Sequence, residues 1–178
     1  LLSSEISTSL TGRNIKISLY PFSFKEYLAA KSFEVKNDYT THEKALVSNY
    51  LSEYMELGGF PEVIESKDKE ELVHVYEDIV TKDLIARFNI RESKSFRELG
   101  LFLLSNSGKK ISYNNLREIL GFKSTTQVKN YAEFFEQSYL FFTISKFDYS
   151  LKKQARNNKK VYCIDTGLSN AVGFKTSE

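Results

Sequence analysis

Residues 96–147 open with Phe96-Arg97-Glu98-Leu99-Gly100-Leu101-Phe102-Leu103-Leu104, break at Asn106-Ser107-Gly108, and resume as two further apolar-periodic segments. The second runs from Tyr113 to Leu120 and stops at Gly121; the third opens at Ser124-Thr125-Thr126 and carries Val128, Tyr131, Phe135 and Tyr139. Apolar residues recurring every three or four positions predict amphipathic helices, and the run Leu140-Phe141-Phe142-Thr143-Ile144 predicts an extended segment. Three short helices followed by a strand is the order of a winged helix, in which the third helix of a helix-turn-helix is backed by a β-hairpin.

Toward the N-terminus, Leu2, Ile6 and Leu10 recur at near-helical spacing, and Gly12 with Arg13 marks that helix's end. Ile15-Lys16-Ile17-Ser18-Leu19-Tyr20 alternates as a half-buried strand would, and Pro21 ends it. A lone strand leaves its backbone groups unpaired, so its partners are expected far away in sequence or outside the chain. Ser23 followed by Glu26 forms a capping box for the next helix. A long helix is predicted from His42 to Leu57, with Leu46, Tyr50, Leu51, Tyr54 and Leu57 on one face. Gly58-Gly59-Phe60-Pro61 stops it, and an amphipathic helix over 72–88 carries Val73, Tyr76, Ile79, Val80, Leu84 and Ile85. Beyond Ile144, residues 146–160 hold a basic run that includes Lys152, Lys153 and Arg156. A strand over 160–164 follows, with Asp165 placed to cap a last helix over 168–172.

Composition narrows the function classes. Of 178 residues 41% are hydrophobic and 27% charged, which suits a globular domain with a sizeable core. Fourteen Phe and eleven Tyr, with no Trp, give a core built on phenyl rings. No apolar run reaches the roughly 18 residues of a membrane span, and no signal peptide is evident. One cysteine, Cys163, excludes an internal disulfide and fits a reducing cytoplasm. A net charge of +2 makes any argument for nucleic acid a local one. His42 and His74 have no Cys or acidic partner at metal-ligand spacing, so no metal site is expected. The chain begins at Leu1, not Met, and its natural N-terminus is expected upstream.

Six runs resemble those of archaeal and bacterial AAA-type P-loop ATPases with a C-terminal winged helix and a nuclease-like domain of unknown function. They are LLSSEISTSLTGR (1–13), LYPFSFKEY (19–27), GGFPEV (58–63), DIVTKDLIARFNIR (78–91), LLSNSG (103–108) and KKVYCIDTGLSNA (159–171). The resemblance implies an interior or C-terminal fragment of such an ATPase: the end of the ATPase core in 1–36, a helical lid in 37–95, the winged helix in 96–158, and the start of the nuclease-like domain in 159–178. It implies ATP and Mg²⁺ as cofactors of the full-length parent, with neither bound tightly by this chain, and self-association through the ATPase core. No G-x-x-x-x-G-K-[ST] run is present, so this chain alone is expected to be inactive. Arg13 stands where such ATPases place an arginine finger, which would make it catalytic. Gly59, Phe60 and Pro61 resemble a lid motif that lies against bound nucleotide.

The third helix exposes Lys123, Thr125, Thr126, Gln127, Lys129 and Asn130 near its start, side chains that bond phosphates or base edges. Lys152, Lys153 and Arg156, on or just after the wing, could follow a phosphate backbone of double-stranded DNA. Glu133 and Glu136 further along the helix oppose DNA. Asp165, lacking carboxylate partners, reads as a helix cap. The expected architecture is mainly α with short β, a helical lid-like bundle followed by a winged-helix domain, flanked by remnants of an α/β ATPase core. Two alternatives stay open beside a cytoplasmic, DNA-contacting ATPase fragment: a free-standing winged-helix DNA-binding protein and a protein–protein adaptor.

Overall fold

The computed structural model describes residues 17–173. It is mainly helical, with one small three-stranded antiparallel sheet. Helix α1 (Phe24–Ala30) and helix α2 (Thr41–Leu57) each start on a complete capping box, Ser23 with Glu26 and Thr40 with Glu43, which satisfies donors the first turn would leave open. Gly58 ends α2 at φ 82°, a conformation that favours glycine, and Pro61 then opens the short α3 (Pro61–Ser66). Helix α4 (Glu70–Asp78) continues into a π-helical segment, Ile79–Ala86, that keeps Val80 and Leu84 buried.

The quoted stretch folds as α5 (Ser93–Ser105), β1 (Lys110–Ile111), α6 (Tyr113–Ile119), α7 (Thr125–Gln137) and β2 (Phe141–Ser145). Helix α8 (Leu151–Arg156) sits in the connection to β3 (Lys159–Cys163), and α9 (Thr166–Val172) follows. The strand order is β1-β3-β2. Lys110 faces Lys160 across one ladder, and Phe142 faces Tyr162 and Ile144 faces Lys160 across the other. Residues 159–163, read from sequence as the head of a following nuclease-like domain, therefore form the central strand here. Residues 17–20, the described part of the expected strand 15–20, pair with nothing in this sheet, and Ile17 and Leu19 are exposed. Ile15 and Lys16, the helix expected before them and Arg13 lie outside the described residues.

One core runs through the helical layer and the sheet. Phe96 of α5 stacks on Phe135 of α7 at 4.4 Å, Tyr131 meets Phe96 edge-on at 5.0 Å, and Phe141 of β2 closes on Phe135 at 5.5 Å. Gly100 makes room: a Cβ there would collide with the Tyr76 hydroxyl and the Phe135 ring. Leu57, Val63, Leu72, Val80, Leu84 and Leu168 extend the same cluster through α2 to the π segment and into α9. Helix α9 packs against α2, α4 and α5, so it joins the two halves. Truncating one of these leucines to alanine removes about 2–5 kcal/mol of stability.

Candidate nucleic-acid interface

Two surfaces carry the polar residues that sequence reasoning points to, and a third set is buried in the fold. On α7, Val128, Ala132 and Phe135 turn inward, which leaves Thr126, Lys129 and Asn130 exposed on the opposite side. Ser124 caps the helix by accepting from the Gln127 backbone N–H at 3.1 Å. Much of the expected base-reading set is already engaged. The Thr125 hydroxyl donates to Asn114 at 2.7 Å. Lys123 pairs with Glu92 at 2.9 Å, and the Gln127 amide donates to the same carboxylate at 2.7 Å. Lys129 faces Glu133 at 3.8 Å. The Glu92 carboxyl is held below its ordinary range by the hydrogen bonds from Lys123 and then Gln127, and the Lys123 ammonium is pushed up by Glu92 in return.

The second surface lies on the outward side of the sheet and the start of the β2–β3 connection. A groove of about 590 Å³ is lined by Lys110, Ile144, Lys146, Lys160 and the Asn157-Asn158 pair, with Ser145 completing it. No carboxylate is among these described lining residues. Directly opposed residues on neighbouring strands share a face, so Lys110, Lys160 and Ile144 form one row across all three strands. Lys152 and Lys153 are exposed on α8, outside this groove, and only the backbone position of Arg156 is described. Lys110, Lys146 and Lys160 are missing from the sequence-derived set. Their signal is the register of β1 against β3, which no local pattern contains.

The third set is internal. The Asp165 carboxylate is buried and accepts from the Leu168 N–H at 2.8 Å and the Gly59 N–H at 2.6 Å, so it caps α9 and ties it to the end of α2. Burial pushes the Asp165 carboxyl up, against the pull of its N–H partners. The Phe22 N–H donates to the Gly59 carbonyl at 2.7 Å, and a Cβ on Gly59 would strike the Phe22 backbone. A Cβ on Gly58 would strike Asp165, and one on Gly167 would strike the Leu57 carbonyl. Phe60 packs against the core and Pro61 starts α3. At Gly59 it is the Phe22 backbone of the same chain that makes the close approach. Burial also pushes the Cys163 thiol up to about 12, which keeps it protonated and a poor nucleophile. Among the described residues, no group of three His, Cys, Asp or Glu is placed to hold a metal, and no helix is long and apolar enough to cross a membrane.

Comparison with known proteins places this geometry in a family. Residues 48–178 match the family described as "Domain of unknown function (DUF8612)". The "Uncharacterized protein MJ1544" of Methanocaldococcus jannaschii is 41% identical over 187 residues, covering all of this chain and 42% of that protein. An uncharacterized protein of Haemophilus influenzae is 30% identical over 183 residues, covering 98% of the chain and 44% of its own length. The chain thus spans less than half the length of these relatives. No solved structure matches. These matches correct the reading as a fragment of an AAA-type P-loop ATPase: the family is DUF8612, and neither relative's name carries an ATPase. That resemblance rested on short runs, none of which contains a phosphate-binding motif. ATP and Mg²⁺ are expectations that rest on that resemblance alone.

Proposed function

We propose that this chain, which belongs to the DUF8612 family, is a winged-helix module that contacts DNA through the lysine groove at the base of its wing. The element order α5-β1-α6-α7-β2-α8-β3, with β3 between its partners and the short α8 within the β2–β3 connection, supports the winged-helix reading. The observation that carries the function is the juxtaposition of Lys110, Lys146 and Lys160 with no carboxylate among the groove's described lining residues. Like charges directly opposite on a sheet are destabilising, and Lys110 faces Lys160. An anionic ligand removes that repulsion. Phosphates spaced along a nucleic acid would take the ammoniums, with the Asn157 and Asn158 amides as neutral donors. Thr126 and Asn130 of α7 are the exposed groups able to reach base edges.

Fluorescence anisotropy with a labelled duplex tests the reading. Neutralising three phosphates predicts an affinity falling roughly 40-fold between about 50 and 200 mM salt. Lys146→Glu with Lys160→Glu should abolish binding while circular dichroism stays native. Absence of binding at low salt, or a double variant that binds like wild type, would reject it.

A further inference from the structure

We propose, building on the DNA-contacting groove, that the same sheet face and its wing take single-stranded DNA, with unpaired bases stacked on Phe142, Phe147 and Tyr149 and the backbone in the lysine groove. The sequence alternates along β2: Phe141 is buried, whereas Phe142 is 44% exposed and Ile144 52% exposed. Tyr162, opposite Phe142 on β3, stacks on it at 5.4 Å with the ring planes 15° apart, so the pair presents two nearly parallel, stacked rings. Past the strand, Phe147 is 71% exposed and Tyr149 97% exposed, their rings edge to face at 5.2 Å. Lysines interleave with these rings. Lys146 lies between Ile144 and Phe147, Lys160 between the strand rows, and Lys152 and Lys153 follow Tyr149.

That interleaving selects the occupant. A duplex hides the faces of its bases and offers only their edges, so exposed rings gain little from it. Unpaired bases have free π faces, and stacking on aromatic side chains beside a cationic track is how sequence-tolerant single-strand binding works. Addition of a protein strand to the free edge of β2 is opposed by Glu136, whose carboxylate already accepts the Thr143 N–H at 2.8 Å. The charge of the groove, with no acid among its described lining residues, likewise favours a polyanion over an acidic-and-basic protein surface.

The test compares a labelled oligothymidylate with a duplex of the same length, on wild type, on Phe147→Ser with Tyr149→Ser, and on Phe142→Thr. The double variant changes exposed loop side chains, and Phe142→Thr keeps a strand former, so both should melt within a few degrees of wild type. The expected result is a loss of about tenfold or more in oligothymidylate affinity for each, with duplex affinity within about twofold. Unchanged oligothymidylate affinity in both variants overturns the inference while leaving the duplex reading in place. Equal losses on both ligands overturn the single-strand assignment. No binding of either ligand by wild type overturns the groove reading beneath it. Oligouridylate bound about tenfold more tightly than oligothymidylate overturns the choice of DNA. A wild-type dimer in ultracentrifugation that the double variant loses would assign the rings to a second copy of the chain.

Discussion

The junction of residues 58–61 with Asp165 and the segment of residues 141–160, the wing of the proposed reading, both hold residues that a functional site could be built from, and the fold treats them oppositely. At the junction, glycines, a proline and a carboxylate are all engaged with the chain itself: the Gly59 N–H donates to Asp165, and the Gly59 carbonyl accepts from the Phe22 N–H. At the wing, lysines and aromatic rings are left facing outward, Tyr149 almost wholly. Residue type alone does not separate the two. Satisfaction does: a buried polar group with every partner in place is a structural tie, whereas like charges gathered without a counter-ion await one.

Gly59→Ala should break the comparison most severely. Its methyl has to enter the Phe22 backbone, which cannot withdraw as a flexible side chain could. The expected loss is about 3 kcal/mol, read as a lower urea midpoint. DNA binding by the folded fraction should be unchanged, and a variant of native stability would mean that the junction is loosely packed.

Asp165→Asn follows, with a pH signature. Burial raises the folded-state carboxyl above its unfolded value, so the folded chain holds the proton more tightly between the two. Its contribution is therefore fully present below the unfolded value of about 4 and is lost as pH rises through the folded one. Asparagine has no such titration and can accept only one of the two N–H bonds without presenting a donor. The variant should be about 1–3 kcal/mol less stable, and the deficit should be largest in acid and shrink toward neutral pH. Urea midpoints compared at several pH values decide it; a deficit that grows with pH contradicts the raised carboxyl.

The same contrast explains what could be read without coordinates. Local chemistry was legible: the Ser23–Glu26 box, the helix from the forties to Leu57 and the Asp165 cap all rest on residues a few positions apart. Helix periodicity in α5, α6 and α7 was equally visible, because each buries one face, α6 on α7 and α5 on α7, α9 and β3. Long-range pairing was not. The strand 159–163 finds its partners 14 to 50 residues away in β2 and β1, so its sequence reads as the start of something new. The alternating residues 17–20 show the converse, since alternation without a partner makes no strand. For the site, Lys152 and Lys153 stood out as a run, yet the groove is built from Lys110, Lys146 and Lys160, which only the register assembles.

Lys160→Gln sharpens the comparison from the wing side, because stability and binding should move in opposite directions. Removing one member of the Lys110–Lys160 pair relieves cross-strand repulsion and should stabilise the fold by about 0.5 kcal/mol. Losing one phosphate contact should weaken DNA binding severalfold and reduce the salt slope by about 0.9. Melting and anisotropy on one preparation read both. If stability and affinity fall together, Lys160 is holding the sheet and not a ligand.

Glu92→Gln has the smallest expected effect and bears on whether α7 shares in the contact. Glu92 precedes α5, and its carboxylate holds both Lys123 and Gln127, two of the groups at the start of α7 that could otherwise turn to DNA. In this respect the start of α7 lies between the two regions: its donors are engaged, as at the junction, yet at the surface, where an exchange of partners is cheap. A phosphate can replace the carboxylate only by displacing it, and the Glu92 charge also repels the approaching backbone. Removing that charge, with the amide still able to accept from Lys123, should raise duplex affinity about threefold at low salt and leave oligothymidylate affinity unchanged. The split between ligands matters more than the size of the gain. An increase on both would mean long-range charge alone, whereas no increase on the duplex would confine the contact to the wing, whose groove has no acid among its described lining residues.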